Sequence, residues 1–296
     1  MSSFQINADL IDDLAKRRVV LFLGSGVSAS AVTKAGVRIK QWGAFLEGCA
    51  DFLPDAKAKS LVDKLLKSQD YLLACEVLRR GLSDMWSNLL HKEFGQIADP
   101  SLLHNAIVDL DQRIIVTTNF DKLIEAAIEQ GNSTHYPRII NKLSADAFKM
   151  LRDDGRYLVK MHGSIDDPET FIFTKSEYIA KAFENWIYGE FLRTLLVTHT
   201  VLFVGFSMSD PAVSSLVEQY AFRFPNGRPH YILQGGPIDQ ELIDINKSLR
   251  KLYAIEYDSR DDHAQLVEVV KFMHSEMIRR RLELVADSSN LVKTDS

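Results

Sequence analysis

Apolar residues run without interruption through VVLFL (19–23), RIIVTT (113–118), YLVKM (157–161), TVLFVG (200–205), HYIL (230–233) and LYAIEY (252–257). Runs this short, continuous rather than alternating, predict strands covered on both faces, as in a parallel sheet between helices. Helical stretches separate them. KLIEAAIEQ (122–130) is closed by Gly131, and DPAVSSLVEQYAFRF (210–224) opens with Asp210 as a cap and Pro211 at the first helical position. Strands alternating with helices predict an α/β fold: a Rossmann-like, doubly wound, mostly parallel sheet with right-handed crossovers.

One interval breaks the alternation. From about residue 39 to 104 only helical periodicity is legible, in WGAFLEGCADFL, KSLVDKLL, DYLLACEVLRRGL and SDMWSNLLHKEF. That is too long for one crossover helix and predicts a helical insertion. A second helical segment, about 176–199, precedes the fourth core strand. The expected organisation is one domain over 1–285 followed by a flexible polar tail, 286–296.

Composition narrows the class. Apolar residues make up 46% and charged residues 25% of the 296-residue chain, so a large core is expected. The net charge of −5 argues against a protein built to grip nucleic acid. The one basic run, Arg279-Arg280-Arg281, reads as a solvated helix end. Cys49 and Cys75 form neither a CxxC nor a four-cysteine metal module, which predicts buried small residues in a reducing compartment. The N-terminus lacks a signal-peptide core and no window is long enough to span a bilayer, so the expected location is the cytoplasm, with no membrane contact.

Candidate chemistry gathers at strand ends. Gly24-Ser25-Gly26-Val27-Ser28-Ala29 fits G-x-G-x-x-G/A directly after a strand, where glycines allow a tight turn and close approach to a pyrophosphate. No Gly-Lys-Ser/Thr follows, and the position where a dehydrogenase places its ribose-binding acid falls in the helical interval. Thr117-Thr118-Asn119-Phe120-Asp121 ends the second strand; Asn119 and Asp121 can reach a ligand, or Asp121 can cap the next helix. Lys160-Met161-His162-Gly163-Ser164 ends the third strand, and His162 is the natural general base, although a lone histidine is often structural. Gly205-Phe206-Ser207-Met208-Ser209-Asp210-Pro211 ends the fourth, with Gly205 and Ser207 facing a ligand and Asp210 read first as a helix cap.

The ordered set GSGVS, TTNFD, MHGS and GFSMSDP resembles the sirtuin (silent information regulator) superfamily, and most closely its bacterial members in anti-phage defence. The resemblance spans roughly residues 19–221. Two departures stand out: the four-cysteine zinc ribbon of sirtuin deacylases is missing, and Lys34-Ala35-Gly36-Val37-Arg38 replaces the Phe-Arg expected in the cofactor loop. The resemblance implies NAD as substrate, no metal, Asn119 and His162 as catalytic residues, and NAD contacts from Gly24, Ser25, Gly26, Ser28, Asp121, Gly205 and Ser207.

With no peptide channel legible, the implied activity is NAD+ glycohydrolysis to nicotinamide and ADP-ribose, linear or cyclic, serving defence by depleting NAD. The alternatives are an NAD-dependent protein deacylase or ADP-ribosyltransferase, and a non-catalytic NAD or ADP-ribose sensor. Restraint of such an activity implies a homo-oligomer or a partner protein such as an ATPase/helicase or nuclease. The helical segments are the expected contact surfaces, with Trp42, Trp86, Phe183 and Trp186 either surface or core.

Overall fold

The computed structural model describes residues 4–33, 36, 38–95, 98–131 and 136–294, with side chains to residue 287. Its strands are β1 (Val19–Leu23), β2 (Val32–Thr33), β3 (Ala98–Asp99), β4 (Ile114–Thr117), β5 (Arg138–Ile140), β6 (Tyr157–Lys160), β7 (Thr200–Val204), β8 (His230–Gly236) and β9 (Leu252–Asp258). Seven of them form one sheet in the order β5-β6-β4-β1-β7-β8-β9. Every pairing in it is parallel. β2 and β3 form a separate antiparallel pair.

The central strands owe their continuous apolar sequence to cover on both faces, and β1, β4, β6 and β7 are buried at every position. Alternate side chains of β1 feed two cores. Val20 and Phe22 pack with the helices Trp186–Thr198 and Pro211–Arg223 on one face. Val19, Leu21 and Leu23 pack on the other with the helices Ala8–Ala15, Leu102–Asp109 and Leu123–Gln130 and the segment Arg260–Thr294. That last segment is broken at its start by left-handed residues Asp261, Asp262 and His263 (φ 50, 59 and 61°). It then buries Leu266, Val269, Val270, Met273 and Met277 at helical spacing. Its backbone stays helical to Thr294, through the stretch expected to fray from residue 286.

The helices Trp42–Ala50, Ala56–Lys67, Tyr71–Leu82 and Asp84–Phe94 fill the interval read as helical. They enclose a third core, in which Cys49 and Cys75 are buried free thiols and Trp86 is 4% exposed. Burial pushes the Cys49 thiol up to about 12, so it packs as a small hydrophobe.

Four points of the sequence reading need correction. The interval 39–104 contains a strand after all, the two-residue β3, too short to leave a periodic signal. β5 was not foreseen; it is an exposed edge strand of three residues, RII, with no apolar run. β9 alternates buried and exposed residues because it is the opposite edge. The run Arg279–Arg281 is also more than a solvated end: Arg280 pairs with Asp12 and Arg281 with Asp111, fastening the last helix to the first layer.

Two buried histidines make a prediction. Desolvation lowers His104 from 6.5 to about 4, against the opposing pull of Asp121, and lowers His230 to about 3. The unfolded chain therefore takes up these protons first, so their stabilisation is complete above pH 6.5 and is lost as pH falls towards 4 and then 3. His104 alone corresponds to a loss on the order of 3 kcal/mol. Denaturant titrations from pH 7.5 to 4 should show unfolding free energy falling steadily below pH 6.5; a flat profile across that window refutes buried, neutral histidines.

Candidate functional site

β1 is the point where the winding reverses: β4 and β6 lie on one side of it, β7, β8 and β9 on the other. Ligands of open α/β sheets bind outside the strand C-termini at such a switch point. The glycine turn sits there. Gly24 donates to Val204 O (3.0 Å), and Gly26 donates to Gly205 O (2.9 Å). Gly205 is left-handed (φ 60°), and a Cβ on it would lie 2.6 Å from Val27 N; a Cβ on Gly26 would lie 2.9 Å from Gly205 Cα. These glycines thus let the turns after β1 and β7 close backbone to backbone. Sequence reading assigned them to a ligand; here they also face each other.

The turn continues as the short helix Ser25–Ser28, with Ser25 exposed and Ser28 6% exposed. Asn119 Nδ2 donates to Gly24 O and to Ser28 Oγ, both at 2.8 Å. Ser28 Oγ in turn donates to Asp121 Oδ2 (2.5 Å). Asp121 also accepts from Leu123 N (3.0 Å), so one buried carboxylate ties the start of the next helix to the turn. Phe120, between them, points the other way, its ring centroid 4.7 Å from that of Phe173 and 4.8 Å from that of Phe94. Gly24, Ser28, Asn119 and Asp121 are therefore one hydrogen-bonded unit.

His162 lies beside that unit without touching it. β4 and β6 pair Thr117 with Lys160, so Asn119 and His162 each stand two residues beyond the same rung. His162 Nε2 is 3.3 Å from Asp210 Oδ2 and 3.1 Å from Tyr188 Oη. Nε2 thus shares a hydrogen bond with the Tyr188 hydroxyl, and Asp210 places a carboxylate within ion-pair distance of the same nitrogen. Burial lowers the His162 pKa, with Asp210 opposing. The ring is thus neutral near pH 7, as a general base must be. Gly163 (φ 91°) turns the chain after it.

Several of these residues were not foreseen. Asp210 caps the helix Pro211–Arg223 as expected, accepting from Ala212 N and Val213 N at 3.0 Å. Its second role, holding His162 while accepting from Tyr178 Oη, crosses the sheet and leaves no local signal. Lys160, 1% exposed, donates to Asp121 O (2.5 Å), Phe120 O (3.3 Å) and Glu125 Oε1 (2.8 Å), clamping the Asn119–Asp121 loop from beneath. Its place inside an apolar run was the available clue, since a buried lysine needs partners. Behind the turn, His104 Nδ1 lies 2.8 Å from Ser101 Oγ, which meets Ser30 Oγ at 2.7 Å.

Other predicted residues stand apart. Ser207 is exposed and its hydroxyl meets Ser209 Oγ at 2.7 Å, with no bond to the turn. Arg38 pairs with Asp262; Lys34, Ala35 and Val37 of that loop lie outside the described residues. Among the described residues, no group of three or more His, Cys, Asp or Glu is placed to hold a metal ion.

A parallel, doubly wound sheet with polar turns converging on its switch point is a Rossmann-like architecture. Residues 113–257 match the SIR2-like domain family. It is 25% identical over 224 residues to NAD(+) hydrolase ThsA of Enterococcus faecium, covering 68% of this chain and 46% of that one. Defense-associated sirtuin 2 of Bacillus subtilis is 22% identical over 272 residues, 86% of this chain and 25% of that one. The chain thus spans less than half the length of these relatives. Among solved structures, a Sir2 homolog–NAD complex aligns with a TM-score of 0.45 at 13% identity, over 95% of this chain and 97% of the other.

Two outcomes are expected. Gly205→Ala should destabilise the protein by about 2 kcal/mol or more, from a left-handed backbone and a contact that backbone cannot yield; a denaturation midpoint within error of wild type contradicts the interlock. Asp210→Asn keeps a good helix cap but removes the charge that supports the imidazolium. An NMR titration should place the His162 pKa below 6.5 in the wild type and lower still in Asp210→Asn. An unchanged or raised value in the variant would show that Asp210 does not act on the ring.

Proposed function

We propose that the chain is a sirtuin-like NAD hydrolase, splitting NAD+ into nicotinamide and ADP-ribose within a bacterial anti-phage defence system. The observation that carries the reading is the joint placement of Asn119, bonded to the glycine turn, and His162, backed by Asp210, beyond one rung of adjacent strands. Relatives bearing the names NAD(+) hydrolase ThsA and Defense-associated sirtuin 2 supply the substrate and the setting.

In this reading the turn Gly24–Ser28 takes the pyrophosphate, and Gly205 and Ser207 line the adenosine side. Asp121 contacts the nicotinamide amide while its carboxylate fixes Ser28. Asn119 Nδ2 is committed to Gly24 and Ser28, and Oδ1, without a partner among the described residues, accepts from a ribose hydroxyl or the attacking water. Cleavage of the nicotinamide–ribose bond builds positive charge on the ribose; water adds at C1′ as nicotinamide leaves with the bonding pair. His162 takes the proton, directly or through a ribose hydroxyl. No metal is assigned a role.

Residues 1–285 act as one NAD-binding domain, in the cytoplasm. Its activity is held in check by homo-oligomerisation or by a partner such as an ATPase/helicase or nuclease. The helices at 42–94 and 175–198 are the contact surfaces. Phe183 and Trp186, 53% and 64% exposed, are the residues available there, whereas Trp42 and Trp86 belong to the helical core.

Chromatographic measurement of nicotinamide release by the full chain, alone and with neighbouring gene products, tests this. Wild type should release nicotinamide without any acyl-lysine peptide, and Asn119→Ala and His162→Ala should each lose at least about a hundredfold. Release that requires an acylated peptide would favour a deacylase. Binding of NAD without turnover under any of these conditions would make the chain a sensor.

A further inference from the structure

The opposite end of the sheet carries a charge pattern that the proposed function does not use. The residue immediately before each of three adjacent strands is an arginine, Arg156 before β6, Arg113 before β4 and Arg18 before β1, and His199, its pKa lowered by burial and by Arg113, precedes β7 beside them. With Lys16 and Arg17 they line a cavity of about 470 Å³, in the size range of small-ligand sites. Asp154 is the one carboxylate in its lining.

These cations are under-neutralised. Arg17, Arg156 and Arg281 all share the single carboxylate of Asp111, and Lys16 shares Asp12 with Arg280. Arg113 spends its guanidinium on the neutral carbonyls of Met150 and Asp153. The Arg18 guanidinium has no partner among the described residues. Helix ends explain part of the pattern, because the helices Ala8–Ala15 and Trp186–Thr198 terminate at Lys16 and His199. They do not explain three arginines at the starts of three neighbouring strands. In a chain of net charge −5, a concave site of this sign focuses field and concentrates anions. Its concavity suits a compact anion rather than an extended polyanion, which needs a basic stripe.

We infer that this cavity binds a compact polyphosphate, free or carried on a nucleotide, through Lys16, Arg18 and the arginines at the strand N-termini. The inference is independent of the proposed NAD hydrolysis, whose residues lie at the strand C-termini. Calorimetric titration of the full chain with sodium tripolyphosphate at physiological ionic strength is the test. One saturable site is expected, weakened at least about tenfold by Arg18→Glu and by Lys16→Glu, both exposed positions, and retained in Ser28→Ala. Equal binding of tripolyphosphate and adenosine triphosphate would assign recognition to the phosphates alone; tighter binding of the nucleotide would add a nucleoside contact. Absence of saturable binding overturns the inference. So does binding that survives both charge reversals, or that Ser28→Ala abolishes.

Discussion

The contact between the turns after β1 and β7 is the constraint on which the site depends. Two parallel strands whose crossovers leave in opposite directions open a crevice at their C-termini, and here Gly24, Gly26 and Gly205 allow that crevice to be floored by backbone alone. The bonds from Gly24 N to Val204 O and from Gly26 N to Gly205 O set the height of the turn. Asn119 then reaches Gly24 O from the neighbouring strand, and Ser28 and Asp121 close the network. A methyl group on any of these glycines would push the two turns apart, and everything bonded to them would move.

Under this floor lies a layer of buried polar groups. Buried charges are costly unless every group is paired, and a half-satisfied network is worse than none. Lys160 meets that condition through two carbonyls and Glu125, and in doing so fixes the loop that presents Asn119. Asp210 meets it through two backbone amides, Tyr178 and His162. Burial and the neighbouring Asp210 together push the phenols of Tyr178 and Tyr188 upward, so both stay neutral around the histidine. The reactive side chains are thereby oriented before any ligand arrives, which is the condition for low reorganisation cost during a reaction.

Much of this was legible in the chain because continuous apolar runs have few fates. All six strands read from such runs are present, as are the capped helix after Asp210 and the helices at 42–94. Other elements escaped for the same reason in reverse: β5 is an exposed edge strand without an apolar run, and β3 is two residues long. The candidate site was legible where chemistry sits next to a glycine at a strand end. Its supporting layer was not, because Lys160, Tyr178 and Asp210 acquire their roles from partners tens of residues away. An Asp before Pro in a helix-opening sequence is fully explained by capping; only the tertiary contact to His162 gives it more.

Hydrogen exchange of the full-length Asn119→Ala variant, with and without NAD, tests the central placement most directly, since turnover is suppressed while the site floor remains. Slowed exchange is predicted at 24–29, 118–122, 161–165 and 205–210 together. Protection confined to the strand N-termini or to the helices at 42–94, with those four turns unchanged, would contradict the account.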